Sequence, residues 1–106
     1  MPKYFIQASF TKQGLEGIMK AGGSARREVL AASAKSVGGS LEAFYFGFGE
    51  SDAYLILDLP SNVEAAAIAL VSSAAGAVTT KTTVLLTPEE IDQAVKKSVD
   101  YTPPGK

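Results

Sequence analysis

The sequence LEAFYFGFGESDAYLILDL, residues 41–59, decides the fold of this 106-residue chain. Apolar residues alternate with the period of a β-strand over residues 41–48 and again over residues 52–59. The short link between the two runs begins with Gly49, which predicts a tight hairpin, and Pro60 stops the second run. The segment therefore predicts two antiparallel strands in the middle of the chain.

The segments outside this hairpin predict the rest of an α+β fold. Residues 4–10 alternate as a first strand, and residues 77–86, rich in threonine and valine, form a fourth. Helices are expected to begin at four capping residues, which are Thr11, Ser24, Ser61 and Thr87. The order β-α-β-β-α-β, followed by a short C-terminal helix, is the ferredoxin-like plan, with helices on one face of a four-stranded antiparallel sheet.

The spacing of apolar residues also predicts which helix faces are buried. For the helix that begins at Ser24, the predicted inward residues are Ala25, Val29, Ala32 and Val37. For the helix that begins at Ser61, the predicted inward residues are Val63, Ala66, Ala67, Leu70, Val71 and Ala74.

Length and charge restrict the classes to which the protein can belong. We interpret residues 1–100 as one domain and residues 101–106 as a flexible tail. The 10 basic and 11 acidic residues give a net charge of −1, which provides no field to attract nucleic acid or a membrane surface. The start lacks the apolar core of a signal peptide, and no apolar run reaches the ~20 residues of a membrane span. We therefore expect a cytoplasmic protein with neither nucleic acid nor membrane as a partner.

Histidine and cysteine, two residue types on which much catalysis depends, are both missing from the chain. Their absence removes the most versatile base at neutral pH, the thiolate nucleophile, and the usual ligands of zinc and copper. We therefore predict no metal ion and no cofactor, and a chain without catalysis of its own.

The predicted sheet is apolar on both faces, whereas a sheet covered by helices on one face is normally polar on the other. The residues on one face of the second strand are Phe44, Phe46 and Phe48, and those on its other face are Leu41, Ala43 and Tyr45. In the third strand, Leu55, Leu57 and Leu59 oppose Tyr54 and Ile56. Burial of four large side chains contributes roughly 6–12 kcal/mol before the cost of association. A second copy packed sheet to sheet is the simplest cover; the alternative is the chain's own C-terminal helix or tail.

Four segments carry a resemblance to a known family. They are GGSARR at 22–27, LEAFYFGFG at 41–49, GAVTTKTT at 76–83 and LLTPEE at 85–90. In this order, and within a likeness from Tyr4 to about Val95, they resemble the GYD-domain family. The resemblance implies a ferredoxin-like fold paired into a dimeric α/β barrel, in a family of small bacterial and archaeal proteins without an established biochemical function.

One position departs from the Gly-Tyr-Asp stretch that gives this family its name. Gly49 and Asp52 match the stretch, whereas Ser51 stands where the family's tyrosine is expected. Any role that the tyrosine has in relatives would therefore be missing here.

The best candidate for contact with a ligand is the stretch Gly22-Gly23-Ser24 with Arg26 and Arg27. Successive backbone N–H groups at a helix start form an anion-binding nest, and two guanidinium groups can clamp a phosphate or carboxylate. The partner they indicate is a small anionic ligand. The alternative is a helix kink whose arginines pair with acidic residues such as Glu28 and Glu42, or with acids of a partner chain.

A second candidate site is the acidic pair Glu50 and Asp52 at the hairpin. These carboxylates could act as acid and base or hold a hard cation, but a solvated turn in which Asp52 accepts backbone N–H groups has the same pattern. The tyrosines Tyr4, Tyr45, Tyr54 and Tyr101 could line a cavity and orient a ligand. The alternative for them is a core position with the hydroxyl at its rim. Asp58 is expected to cap the following helix or to pair with Lys81.

Three functions are compatible with these patterns. The first is a homo-oligomeric small-molecule-binding or accessory domain. The second is a cofactor-independent enzyme of the α/β-barrel monooxygenase or isomerase kind, in which a tyrosine and a carboxylate handle protons. The third is a purely structural oligomer. An enclosed pocket above ~300 Å³ on which tyrosine or arginine groups converge would favour the first two, and a fully packed interior would favour the third.

Overall fold

The computed structural model describes all 106 residues, Met1–Lys106. Its elements are β1 Lys3–Phe10, α1 Lys12–Ala21, α2 Gly23–Ser36, β2 Ser40–Phe46, β3 Ala53–Asp58, α3 Asn62–Ala74, β4 Val78–Leu85 and α4 Pro88–Ala94. The four strands form one sheet in the order β2-β3-β1-β4, and every neighbouring pair is antiparallel. The predicted α+β class, the ferredoxin-like plan and the antiparallel sheet are confirmed. A single chain leaves the sheet open, so closure into a dimeric barrel remains a prediction.

The core lies between one face of the sheet and the helices α2 and α3. Tyr4 and Leu57, on adjacent strands, are 1% and 2% exposed, and they pack with Ala34 of α2 and Ala65 of α3. The Tyr4 hydroxyl donates a hydrogen bond to Asn62 Oδ1 at 2.6 Å. Tyr4 is therefore a core residue with a satisfied hydroxyl, and not a ligand-orienting one.

Most residues predicted as inward on α2 and α3 are exposed, although Val37, just after α2, packs against the core as predicted. On α3 the predicted residues Val63, Leu70 and Val71 are each more than 70% exposed. The residues that meet the sheet are instead Ala34, which is fully buried, and Ala65, which is only 5% exposed, with the half-buried Leu30 and Ile68 beside them. Both helices are rich in alanine, so either face is apolar enough to be buried. Alanine occupies the closest contacts with the large side chains of the sheet, and Leu30 and Ile68 pack beside it against the same core.

A β-bulge corrects the predicted faces of β2. The pairing of β2 with β3 shifts between Leu41 and Ala43, which inserts an extra residue in β2. Leu41 therefore lies on the helix-covered face with Phe44, whereas strict alternation predicts opposite faces. Phe48, predicted to lie in the strand, follows its end and is fully exposed.

Three of the four predicted helix caps are confirmed. Thr11 accepts a hydrogen bond from the Gly14 N–H, Ser61 accepts one from the Val63 N–H, and Thr87 forms a capping box. Ser24 is not a cap, because α2 already begins at Gly23 and its N-cap is Gly22. Gly22 has φ of 86°, a left-handed conformation that favours glycine, and it ends α1 while it begins α2. Ser24 is therefore the second residue of α2 and lies inside the helix, where it cannot act as the N-cap.

The chain after β4 leaves the packed body. Every residue from 86 to 106 is exposed, including all of α4. The radius of gyration is 16.8 Å, whereas a compact domain of this length has about 13 Å. The C-terminal segment therefore does not cover the helix-free face of the sheet. None of the helices is both long and apolar enough to cross a membrane.

Candidate functional site

The candidate site lies where the α1–α2 junction contacts the end of β2. A Cβ on Gly23 would lie 2.8 Å from the Phe46 ring, so glycine allows the start of α2 to approach this ring closely. No side chain caps α2, which leaves the N–H groups of its first turn unpaired by a cap. The positive end of the helix dipole therefore opens at this junction.

A depression of about 400 Å³ lies at this junction and collects four of the predicted ligand residues. Its lining consists of Gly23, Ser24, Arg27, Phe44, Tyr45 and Phe46. Tyr45 is 72% exposed and, opposite Tyr54 in the β2–β3 register, lies on the helix-free face, so it borders the depression from the edge of the sheet. The predicted nest at Gly23 and Ser24 and the guanidinium of Arg27 thus line one continuous surface. Tyr45 of β2 borders the same surface.

Arg26 points elsewhere, although it is the neighbour of Arg27. Its guanidinium carbon lies 6.0 Å from the centre of the Phe10 ring, and its Nε is buried without a hydrogen-bond partner. With Gly22 it lines a groove of about 310 Å³ between α1 and α2. The two predicted arginines therefore serve different cavities, because consecutive helical residues are about 100° apart around the axis.

Neither arginine forms the ion pairs that the kink alternative requires. The ion pairs of the chain are Lys3 with Glu42 and Lys3 with Asp58, the latter at 2.8 Å. The predictions for Asp58, helix capping or pairing with Lys81, are therefore wrong. Asp58 lies opposite Lys3 in the β1–β3 register, a cross-strand relation that the sequence could have indicated once the strands were aligned. The hydrogen bonds that Lys3 donates, to Asp58 and then to Glu42, raise the pKa of its amine above 10.5.

Asp52 holds the hairpin loop to β1. Its Oδ2 accepts a hydrogen bond from the Phe10 N–H at 2.8 Å, and its own N–H donates to the Ala8 carbonyl at 2.9 Å. The interpretation of Asp52 as a turn residue is therefore the one that matches its bonds. It also lines a second depression, of about 390 Å³, beside Gly23. The adjacent Ser51 is buried, so the departure from the family's tyrosine falls inside the loop and not at its surface.

Tyr54 does not join the site. It lies on the helix-free face of the sheet, where its ring stacks on Phe5 with centroids 6.1 Å apart. Tyr101 is in the exposed C-terminal segment. Phe46 and Phe44, which no ligand prediction included, form part of the depression's wall in edge-to-face contact. No group of three or more acidic side chains could hold a metal ion.

Comparison with known proteins agrees with the observed architecture. The family model described as GYD domain matches residues 4–95, a range that includes all four helices and all of the sheet except Lys3, the first residue of β1. Neither the curated proteins nor the solved structures contain a match to this chain. The family match covers most of the 106 residues. The chain belongs to the GYD domain family.

Proposed function

We propose that this protein is a homo-oligomeric module that binds a small anionic molecule at the start of α2. The observation that carries the proposal is the depression that joins Gly23, Ser24, Arg27 and Tyr45. Its chemistry is suited to a phosphate or carboxylate group. The ligand would be a small metabolite, because the depression has a volume of about 400 Å³.

Two kinds of donor support an anionic ligand. The backbone N–H groups of Gly23 and Ser24 lie in the first turn of α2, where the helix dipole favours negative charge. Arg27 supplies a guanidinium fork, which matches two oxygens of a phosphate or carboxylate. The neighbouring phenylalanine rings offer an apolar wall to the rest of the ligand.

Self-association is supported by the helix-free face of the sheet. This face carries a half-buried apolar group in the single chain, and its large members are Phe5, Tyr54 and Ile56, with the exposed Tyr45 at the edge. Burial of four such side chains contributes roughly 6–12 kcal/mol before association costs. The C-terminal segment leaves this face open, so a second copy related by a two-fold axis is the cover that we propose.

The enzyme alternative receives less support from the same geometry. A proton-handling pair needs a tyrosine within hydrogen-bond reach of a carboxylate. One Asp52 oxygen already accepts the Phe10 N–H, and Tyr54 lies on the opposite face of the sheet from the covered core. We therefore favour binding without catalysis.

Titration with inorganic phosphate tests the anion site. We expect the amide resonances of Gly23 and Ser24 to shift with added phosphate until the site is saturated, because the anion accepts hydrogen bonds from their N–H groups. Arg27→Gln should weaken binding about tenfold or more, since hydrogen bonds to charged groups are worth about 1.5–3 kcal/mol.

The matched control for this titration is Lys35→Gln, which removes a positive charge from the last turn of the same helix. It should leave the affinity close to that of the unchanged protein. Unmoved amide resonances, or equal weakening by both variants, would show that no such site exists.

Light scattering at micromolar concentration tests self-association. We expect a dimer or larger assembly for the unchanged chain. Ile56→Glu should shift the mass towards a monomer, because it sets a charge in the centre of the helix-free face.

Leu70→Glu is the control, because Leu70 is equally apolar but lies on the outer side of α3. Its mass should match that of the unchanged protein. A monomeric unchanged chain would refute self-association. Dissociation by Leu70→Glu but not by Ile56→Glu would show that the interface lies on the helices and not on the helix-free face.

A further inference from the structure

The C-terminal arm, which we define as residues 86–106, carries apolar side chains that the chain itself leaves uncovered. Their exposed fractions are 59% for Leu86, 46% for Ile91, 76% for Val95, 77% for Val99 and 69% for Tyr101. With the arm included, the molecule extends 56 Å in its longest dimension and only 23 Å in its shortest. The arm therefore projects an apolar surface into solvent.

Helix α4 within the arm is formed without tertiary packing. It has seven residues, and its capping box closes with the Glu90 side chain accepting the Thr87 N–H at 2.9 Å. A helix this short is marginal by itself in water, so a cap alone does not explain why it forms. Ile91 and Val95 lie one turn apart on the same side, with Ala94 beside them. This stripe has the form of a helix that docks in a groove.

The arm leaves the sheet at the end farthest from the apolar groove between α1 and α2. Leu85, the last residue of β4, pairs with Lys3, whereas the first, Val78, pairs with Phe10 in the wall of that groove. The eight residues of β4 separate the two ends by roughly 26 Å, and the arm leads away from the sheet. A second copy is therefore the occupant that can bring α4 to this groove.

The groove between α1 and α2 has the size and lining that a short helix needs. Its volume is about 310 Å³. Small residues allow a close approach of backbone, and these are Gly14, Gly17, Ala21, Gly22, Ala25 and Ala77. Ile18 and Val29 supply apolar contacts, and Val29 is 52% exposed in the single chain.

Charge complementarity selects α4 as the element that fits this groove. Helix α4 has three acidic residues and no basic one, whereas α1 and α2 together have five basic residues and two acidic ones. The free carboxylates of α4 are Glu89 and Asp92, because Glu90 is engaged in the cap. Arg26 lines the groove and forms no ion pair within the chain, so its guanidinium would gain an acceptor from one of them.

We propose that α4 of one copy docks in the α1–α2 groove of a second copy. In a two-fold assembly the exchange is reciprocal, so each copy both donates an arm and receives one. The inference rests on the proposed function only in requiring self-association, and it adds an interface distinct from the helix-free face of the sheet.

The absence of cysteine makes this exchange testable by disulfide trapping in the full chain. One copy carries Ala94→Cys in α4 and the other carries Ala25→Cys in the groove, with a tag that distinguishes their masses. Both alanines are exposed, so neither substitution disturbs the core. Mild oxidation of the mixture should produce the mixed disulfide, because docking brings the two Cα atoms within the ~7 Å that a disulfide spans.

The matched control replaces the groove variant with Ala66→Cys, an exposed alanine on α3. It should give only the small amount of mixed disulfide that random collision produces. Adding Ile91→Glu to the Ala94→Cys copy should lower the trapped yield at least about fivefold, because it breaks the apolar stripe. Equal trapping at Ala25 and Ala66, or no effect of Ile91→Glu, would overturn the proposal.

The same result separates failure of this inference from failure of the proposed function. An unchanged oligomeric mass with no mixed disulfide at Ala25→Cys overturns arm exchange alone. Unmoved Gly23 and Ser24 amides in the phosphate titration overturn anion binding alone. A chain carrying both cysteines that closes an internal disulfide without forming dimers would show that the arm folds back on its own body, which also overturns the exchange.

Discussion

Replacement of Gly14 by alanine is expected to lower the free energy of unfolding by about 3 kcal/mol, because the new methyl group has no room. Its Cβ would lie 2.1 Å from the backbone oxygen of Ala77. A backbone carbonyl cannot rotate away as a side chain can, so α1 or the α3–β4 loop must move. The same carbonyl accepts the Thr11 N–H at 3.0 Å, and movement would weaken that bond as well.

Gly17→Ala is the matched control, in the same helix and with the same chemical change. Nothing lies within 4 Å of a Cβ at Gly17. This variant should gain about 0.5–1 kcal/mol, because alanine favours the helical backbone more than glycine does. Urea denaturation of both variants, at one protein concentration low enough for the chain to be monomeric, gives the comparison without a contribution from docking in the groove that Gly17 lines. Changes of the same sign for the two variants would contradict the close approach at Gly14.

Leu57→Ala is expected to cost about 2–5 kcal/mol, the usual range for emptying a buried leucine site. Leu57 is 2% exposed and lies on β3 within the core between the sheet and the helices α2 and α3. The loss combines the transfer free energy of the removed methyl groups with the cavity that the rigid strand leaves behind.

Leu70→Ala is the control for this substitution, since Leu70 is 71% exposed on α3. Its stability should stay within about 0.5 kcal/mol of the unchanged protein. The two variants also test the reversal of the predicted helix face. If Leu70→Ala were the more costly of the two, the residues predicted as inward on α3 would be buried after all.

The strands and most helix starts could be predicted from the sequence because they depend on local features. Alternation over residues 41–48 and 52–59 requires only neighbouring residues, and the capping interactions of Thr11 and Thr87 span three positions. The prediction of Ser24 as a helix cap was wrong because it, too, used only local features. Its side chain fits the local pattern, but the left-handed Gly22 ends one helix and begins the next in a single residue.

The candidate site was predictable only in part. Gly23, Ser24 and Arg27 are near one another in the chain, so one motif identified them together. Tyr45 joins them because β2 passes beside the start of α2, which no local pattern specifies. Arg26 was grouped with Arg27 by sequence, yet it turns towards Phe10 and another groove.

By itself, the sequence determined the order of the elements, the hairpin, the absence of histidine and cysteine, and the small residues at the α1–α2 junction. Only the tertiary structure decided which faces of α2 and α3 are buried, where Leu41 points and which partner Asp58 takes. Periodicity and capping act within one element and can be read along the chain. Burial depends on the volume that other elements leave free, so Ala34 and Ala65 are buried against the sheet while Leu70 and Val71 remain exposed.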